Sequence, residues 1–194
     1  GERTILYSTG IGTAPLDFQW YMNGELLPGA TWPDLTVQNP DSLDEGLYHC
    51  EATNACATYS SDTVQLYIAP QICMVTVDTA NGKNLVIWEK NSIAPIESYN
   101  IYRESLVAGE YDVIGNVASG ALSEFTDTVV NPAQQAYSYK ISAILEDGRE
   151  SDIGLCRAHR TIHLLTSRSI ELNVAQLDWE DYYGFDYGTF FIFR

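Results

Sequence analysis

An internal repeat restricts the fold of this 194-residue chain more than any other feature of its sequence. Residues 84–103 align without a gap with residues 175–194, at an offset of 91 residues, so that Trp88 matches Trp179. A period of this length fits one β-sandwich domain of ~100 residues. The first copy continues for about sixty residues beyond the point where the second copy stops. We therefore expect the sequence to be a segment of a longer polypeptide.

Short β-rich runs separated by turn signals follow one another along the chain. No stretch of ten or more residues has a helical hydrophobic period. Turn dipeptides such as Asn23-Gly24 and Asp147-Gly148 lie between the runs. These patterns predict an all-β fold of tandem antiparallel β-sandwiches. The predicted strands are Arg3–Ser8, Asp17–Met22, Asp34–Gln38, Gly46–Ala52, Ala57–Ile68, Ile72–Asp78, Asn84–Trp88, Ser98–Arg103, Tyr111–Val117, Ala136–Leu145 and His159–Leu165.

The net charge and the length of the apolar runs each argue against one class of partner. The chain has 10 Lys and Arg against 26 Asp and Glu, for a formal net charge of −16. Phosphate contacts need clustered Lys and Arg, so we expect no nucleic-acid partner. The longest apolar runs are far shorter than the ~18 residues of a spanning helix, so we expect no direct membrane insertion.

Residues 1–69 contain a pattern of aromatic and cysteine residues. Trp20 is followed about thirty residues later by Asp44-Glu45-Gly46-Leu47-Tyr48-His49-Cys50. This pattern resembles the immunoglobulin fold, although the sequence starts too late to include strand A. The resemblance implies that Trp20 and Tyr48 are core residues and that the Tyr48 hydroxyl bonds to the backbone upstream. The usual partner of Cys50 should lie near Ser8, but no cysteine precedes Cys50.

The stretch from Cys50 to Cys56 is similar to bacterial secreted Ig-like domains. That resemblance implies a Cys50–Cys56 disulfide across a hairpin, where opposed positions lie close enough for a bridge. Two free thiols are the alternative.

Residues 70–167 contain a second aromatic pattern, formed by Trp88, Tyr99 and Tyr137. The pattern resembles a fibronectin type III domain and implies that these three residues belong to its core. A further, truncated fibronectin type III domain is expected over residues 168–194, with Trp179 in its core. Together the three domains resemble bacterial secreted or cell-surface modular proteins, many of which belong to the type IX secretion class.

The two remaining cysteines, Cys73 and Cys156, fall near the starts of strands A and G of the type III resemblance. A Cys73–Cys156 bridge would join the edges of the two sheets. Four cysteines allow three pairings, and pairing within each domain favours this bridge together with Cys50–Cys56. An even number of cysteines in such a fold indicates an oxidising compartment, so we expect an extracellular or bacterial cell-surface location.

Candidate chemical sites are few. The sequence has no nucleophile elbow, phosphate-binding loop or dinucleotide fingerprint, so we expect no catalytic residues and no cofactor in this segment. Two oxygen-rich clusters are candidates for structural Ca²⁺. They are Asp78 with Asn81 and Asn84, and Glu180 with Asp181. A solvated acidic surface is the alternative for both clusters.

The aromatic run from Tyr182 to Tyr187 falls in the loop after strand B when residues 175–194 are aligned with the second domain. The run can be interpreted as a sugar-stacking platform, as packing between domains, or as the core of the third domain. The repeat alignment favours the last two interpretations.

Three functions remain open. The first is a non-enzymatic spacer or a protein- or glycan-binding segment of a large surface protein, with the neighbouring domains of the same chain as its partners. The second is a set of accessory modules of a secreted hydrolase. The third is the ordered part of a subunit of a cell-envelope secretion or gliding assembly.

Overall fold

The computed structural model describes residues 3–10, 12–90, 94–169, 174–185 and 189, which form two compact units, 1–68 and 69–194. The fold is all-β, as predicted. The strands are β1 (Arg3–Tyr7), β2 (Asp17–Met22), β3 (Glu25–Leu26), β4 (Asp34–Gln38), β5 (Gly46–Thr53), β6 (Thr58–Ser60), β7 (Val64–Leu66), β8 (Ile72–Asp78), β9 (Lys83–Trp88), β10 (Ile96–Glu104), β11 (Tyr111–Ala118), β12 (Glu124–Asp127), β13 (Ser138–Leu145), β14 (His159–Arg160), β15 (Leu164–Ser169) and β16 (Val174–Trp179).

The first unit contains two antiparallel sheets. One pairs β1 with β4, and the other has the order β3-β2-β5-β6, with β7 also pairing to β5. Asn23 and Gly24 connect β2 to β3 with positive φ angles of 52° and 83°. This left-handed conformation suits the twist of a two-residue hairpin, which explains the Asn-Gly pair.

The core of the first unit confirms the aromatic pattern in the sequence. Trp20 on β2 and Tyr48 and Cys50 on β5 are buried. The Tyr48 hydroxyl donates to the backbone carbonyl of Asp44 at 2.7 Å, which confirms the predicted upstream hydrogen bond. The Trp20 Nε1–H donates to the Trp32 carbonyl at 2.9 Å.

One predicted strand of the first unit is interrupted. The sequence predicted a single strand over Ala57–Ile68, but the structure divides it into β6 and β7, with residues 61–63 between them. Ser61 lies opposite Cys50: its N–H donates to the Cys50 carbonyl at 2.8 Å, and its hydroxyl accepts from the Cys50 N–H at 2.9 Å. The Ser61 hydroxyl thus accepts from the Cys50 N–H in place of the backbone carbonyl that would accept it in a regular antiparallel pair.

The second unit contains a seven-stranded arrangement. One sheet has the order β12-β9-β8, and the other has the order β11-β10-β13-β14. Trp88, Tyr99 and Ile141 are buried in the core, and Tyr137 is half-buried against it. Strand β12 was not predicted, because its four residues, Glu-Phe-Thr-Asp, are too few to show a clear alternation.

The hairpin β15–β16 repeats the hairpin β8–β9. The pairs that close the two hairpins are Asp78 with Lys83 and Ser169 with Val174, which preserves the 91-residue offset. Strand β15 therefore crosses the expected domain boundary between residues 167 and 168, and the predicted strand His159–Leu165 is divided between β14 and β15. The start of a further fibronectin type III domain at residue 168 stays a prediction.

Trp179 differs from its predicted role. Trp179 is 36% exposed, although the sequence predicted it to lie in the core of the third domain. The reason is that β15 and β16 form a two-stranded sheet, and no second sheet covers it among the described residues. Residues 190–194, which carry the rest of the repeat, lie outside the described part of the chain.

Candidate functional site

The segment that follows β16 lies against the sandwich of the second unit and contacts strands β8 and β14. We call Val75, His159, Tyr182, Tyr183 and Phe185 the aromatic junction. Its backbone anchor is an antiparallel bridge between Arg160 and Tyr183, with N–H···O distances of 2.7 Å and 3.4 Å. The junction therefore attaches the repeated hairpin to the second sandwich through both backbone and side chains.

The Tyr182 hydroxyl is the centre of the aromatic junction. It accepts from the Val75 N–H at 2.9 Å and lies 2.7 Å from Nδ1 of His159. Burial, together with the charge of Arg157, lowers the pKa of His159 to about 4. A neutral imidazole has one acceptor nitrogen, and in the Nε2-protonated tautomer Nδ1 accepts the proton of the hydroxyl, which at the same time caps the edge of β8.

Ring packing completes the junction. The His159 and Tyr182 rings meet edge to face at 5.7 Å, and the Tyr182 and Phe185 rings lie 4.6 Å apart. Gly184 has a φ of 145°, and a Cβ atom there would lie 2.5 Å from the His159 ring. Glycine is therefore required both by its backbone conformation and by the close approach of the imidazole.

Two charged contacts flank the rings. Arg160 pairs with Glu180 at 2.8 Å, and both side chains are about half exposed. The Arg157 guanidinium lies 5.7 Å from the centre of the Tyr183 ring. Exposed contacts of this kind contribute little each, so the hydrogen bonds of the half-buried Tyr182 hydroxyl and its packing on the buried His159 ring contribute most to the stability of the junction.

Acid should loosen the aromatic junction. The pKa of His159 is about 4 in the folded protein, against ~6.5 in an unfolded chain, so the open state binds more protons between these pH values. The stabilisation is complete above pH ~6.5 and is lost as the pH falls towards 4. Hydrogen exchange of the Val75 amide, corrected for its intrinsic pH dependence, should show lower protection at pH 4.5 than at pH 7. His159→Asn is the matched variant, and an unchanged pH effect in it would contradict this assignment.

Neither expected disulfide is formed, and all four cysteines are free thiols. Cys50 is buried and Cys56 is exposed in the turn after β5. The β5–β6 register pairs Thr53 with Thr58, so the residue opposite Cys50 is Ser61. The expectation that Cys50 and Cys56 oppose each other in the hairpin is therefore wrong.

The second expected bridge is absent for a different reason. Cys156 is buried, and its Sγ accepts from the Ile141 N–H at 3.4 Å. Its sulfur also contacts the backbone of Ile72, which is buried next to Cys73. Cys73 itself is exposed, and it lies in a bulge where the β8–β9 register shifts between Ile72 and Met74.

Neither predicted calcium cluster is assembled as a set of ligands. The residues of the first cluster lie apart, and in the second cluster Glu180 forms an ion pair. Asn84 points into the core and is fully buried, whereas Asp78 and Asn81 bond to each other at the surface. Glu180 pairs with Arg160. Among the described residues, no group of three or more His, Cys, Asp or Glu is placed to hold a metal ion. Calcium binding stays a prediction.

Sequence reasoning missed the histidine of the junction. No pattern in the sequence marked His159 or His163 as a functional residue, and the structure gives them separate partners, Tyr182 and the Ala133 carbonyl. The available signal was the repeat, which already assigned residues 182–185 to a loop at a domain end. No described helix is long and apolar enough to cross a membrane.

No protein-family model matches the chain. Among curated proteins, it is similar to the tyrosine-protein kinase-like protein otk of Drosophila melanogaster, with 31% identity over 40% of this chain and 8% of that protein. It is also similar to an amylopullulanase of Thermoanaerobacterium saccharolyticum, with 38% identity over 49% of this chain and 7% of that enzyme. The chain thus spans less than a tenth of the length of these relatives.

Solved structures show partial similarity in fold. The immunoglobulin domains 1–5 of Sidekick-1 match with a TM-score of 0.37 and 16% identity, covering 77% of this chain and 32% of that chain. A two-domain fibronectin type III segment of chicken tenascin matches with a TM-score of 0.39 and 10% identity, covering 82% and 90%. Strand order and register, rather than these overlaps, define the fold.

Proposed function

We propose that this chain is a non-enzymatic spacer and binding segment of a larger extracellular protein, in which successive sandwiches are held at a fixed angle. The observation that carries the proposal is the aromatic junction. A repeated hairpin is attached to the second sandwich by the Tyr182 hydroxyl, the ring cluster and the Arg160–Tyr183 bridge. A flexible linker would need none of these contacts.

The bacterial surface location and type IX secretion are part of this proposal through the sequence resemblance. The excess of acidic residues supports a segment that stays soluble when displayed away from the cell. The neighbouring domains of the same chain are the partners that the junction would hold.

Residual dipolar couplings measured by NMR test the rigid attachment. We expect the amides of β15 and β16 to share one alignment tensor with the amides of β8–β13. Gly184→Ala forces a strained φ and a clash with His159, so the hairpin should then require its own tensor.

Gly120→Ala is the matched control, because no atom lies within contact distance of a Cβ atom there. It should leave the couplings unchanged. Separate tensors for the hairpin and the sandwich in the unaltered chain would overturn the rigid spacer.

A second candidate function is an accessory segment of a secreted hydrolase, and the similarity to an amylopullulanase supports it. The parent reading frame tests this candidate. A catalytic domain outside the segment, whose activity on polymeric substrate falls when these modules are deleted, would favour it. Unchanged activity after the deletion would favour the spacer.

A further inference from the structure

A cleft of about 560 Å³ opens at one side of the first unit. One wall is the end of β1 and the residues after it, from Tyr7 to Gly10, and the other wall is the segment from Tyr59 to Val64. Trp20 and Cys50 lie at its floor. The volume falls within the ~300–1,000 Å³ range of small-ligand sites.

The lining of the cleft is neutral and rich in hydroxyl groups. Among the described residues that line it, Asp62 is the only charged one, although the chain carries a net charge of −16. The hydroxyl and amide side chains that line it are Ser8, Thr9, Asn54, Ser60, Ser61 and Thr63. Asn54, Ser60 and Ser61 already hydrogen-bond within the protein, so a ligand would meet chiefly the hydroxyl groups of Thr9 and Thr63.

Two tyrosine rings, those of Tyr7 and Tyr59, line the walls of the cleft. Tyr7 is 72% exposed and Tyr59 is 76% exposed, and both line the cleft. Within the part of the chain that the structure describes, no hydrogen bond engages either phenol or the hydroxyls of Thr9 and Thr63. These groups are therefore available to a ligand without breaking contacts inside the protein.

The geometry points to a short neutral oligosaccharide as the ligand of this cleft. A pyranose ring has an apolar face that packs against a tyrosine ring and an edge of hydroxyl groups that exchange hydrogen bonds with serine and threonine. The inference extends the proposed binding role to a ligand class, and it does not depend on the aromatic junction in the other unit.

An extended peptide is the competing ligand, because the cleft lies beside strand edges. A peptide strand would bond mainly to the backbone and would depend little on the tyrosine rings. The neutral hydroxyl lining and the two unengaged phenols favour the sugar.

NMR titration of the ¹⁵N-labelled chain tests the assignment. The probes are maltotetraose, cellotetraose and xylotetraose up to 10 mM, and an eight-residue alternating Thr-Val peptide. We expect saturable shifts of the amides of residues 7–10 and 59–64 with at least one sugar. Tyr59→Ala should weaken that binding about tenfold, as expected for loss of an aromatic anchor. Thr63→Val should weaken it by a smaller factor.

Trp32→Ala is the control, because Trp32 is 71% exposed and does not line the cleft. It should leave the sugar affinity unchanged. Binding of the peptide without any sugar, absence of saturable shifts with all three sugars, or equal binding by Tyr59→Ala would overturn the assignment. The dipolar couplings of the hairpin report separately on the rigid spacer.

Discussion

Asp127→Ala should lower the free energy of unfolding of the second unit by about 3–5 kcal/mol, the cost of leaving a buried charge without its partner. Asp127 lies on β12, its side chain is 3% exposed, and its Oδ2 accepts from Nη1 of Arg103 at 2.6 Å. The same oxygen accepts from the Tyr139 hydroxyl at 3.0 Å. The substitution therefore leaves both the Arg103 guanidinium and the Tyr139 hydroxyl without their acceptor.

The size of this effect follows from where the pair lies. Arg103 belongs to the four-stranded sheet and Asp127 to the three-stranded sheet, so the pair connects the two layers. Asn84 extends the network by donating to the Tyr139 hydroxyl at 2.8 Å. Each buried polar group depends on the next one, and removal of the central carboxylate leaves several of them unsatisfied.

Urea titration followed by NMR signals of the second unit measures the effect, because the chain has two units and one global signal would mix them. Asp147→Ala is the matched control. Asp147 also pairs with an arginine, Arg149, but both side chains are more than half exposed, so a loss under about 1 kcal/mol is expected. Equal losses in the two variants would contradict the role of the buried network.

Ser8→Cys should allow an inter-sheet disulfide with Cys50 and stabilise the first unit by up to about 4 kcal/mol, from a closed loop of roughly forty residues. Ser8 lies next to the Cys50 thiol, which is buried in the core. Burial raises the pKa of this thiol, so the bridge should form slowly without a catalyst.

Mass spectrometry should show the loss of two hydrogens in Ser8→Cys, together with a peptide that links residues 8 and 50. The urea midpoint of the first unit should rise in the oxidised form and return to its earlier value with reductant. Ser8→Ala, which cannot form a bridge, controls for loss of the hydroxyl. An oxidised protein no more stable than the reduced one would indicate that the bridge strains the sheets.

Much of the fold could be read from residues close together in the sequence. The bounds of β2, β4 and β8 match the predicted runs, since alternation and turn dipeptides are local signals. The hydrogen bond from Tyr48 to Asp44 was also predictable, because both groups lie in one short motif. The position near Ser8 for the missing partner of Cys50 followed from its spacing before Trp20.

Other features depended on register and side-chain direction. The disulfide predictions failed because Ser61, not Cys56, lies opposite Cys50, and because Cys73 is exposed whereas Cys156 is buried. The interruption of the strand after Ala57 was hidden by a continuous β-rich composition. Local patterns do not show which residue of a second strand faces a given position.

The sequence alone established the strand-rich character, the 91-residue repeat, the acidic charge and the aromatic cores, since each is a property of composition or spacing. The pairing of Arg103 with Asp127, the contact of Tyr182 with His159 and the cleft between Tyr7 and Tyr59 required the folded chain. Each joins residues more than twenty positions apart, and their distance depends on how sheets stack and hairpins fold back. Contacts of that kind leave no period or motif in the sequence.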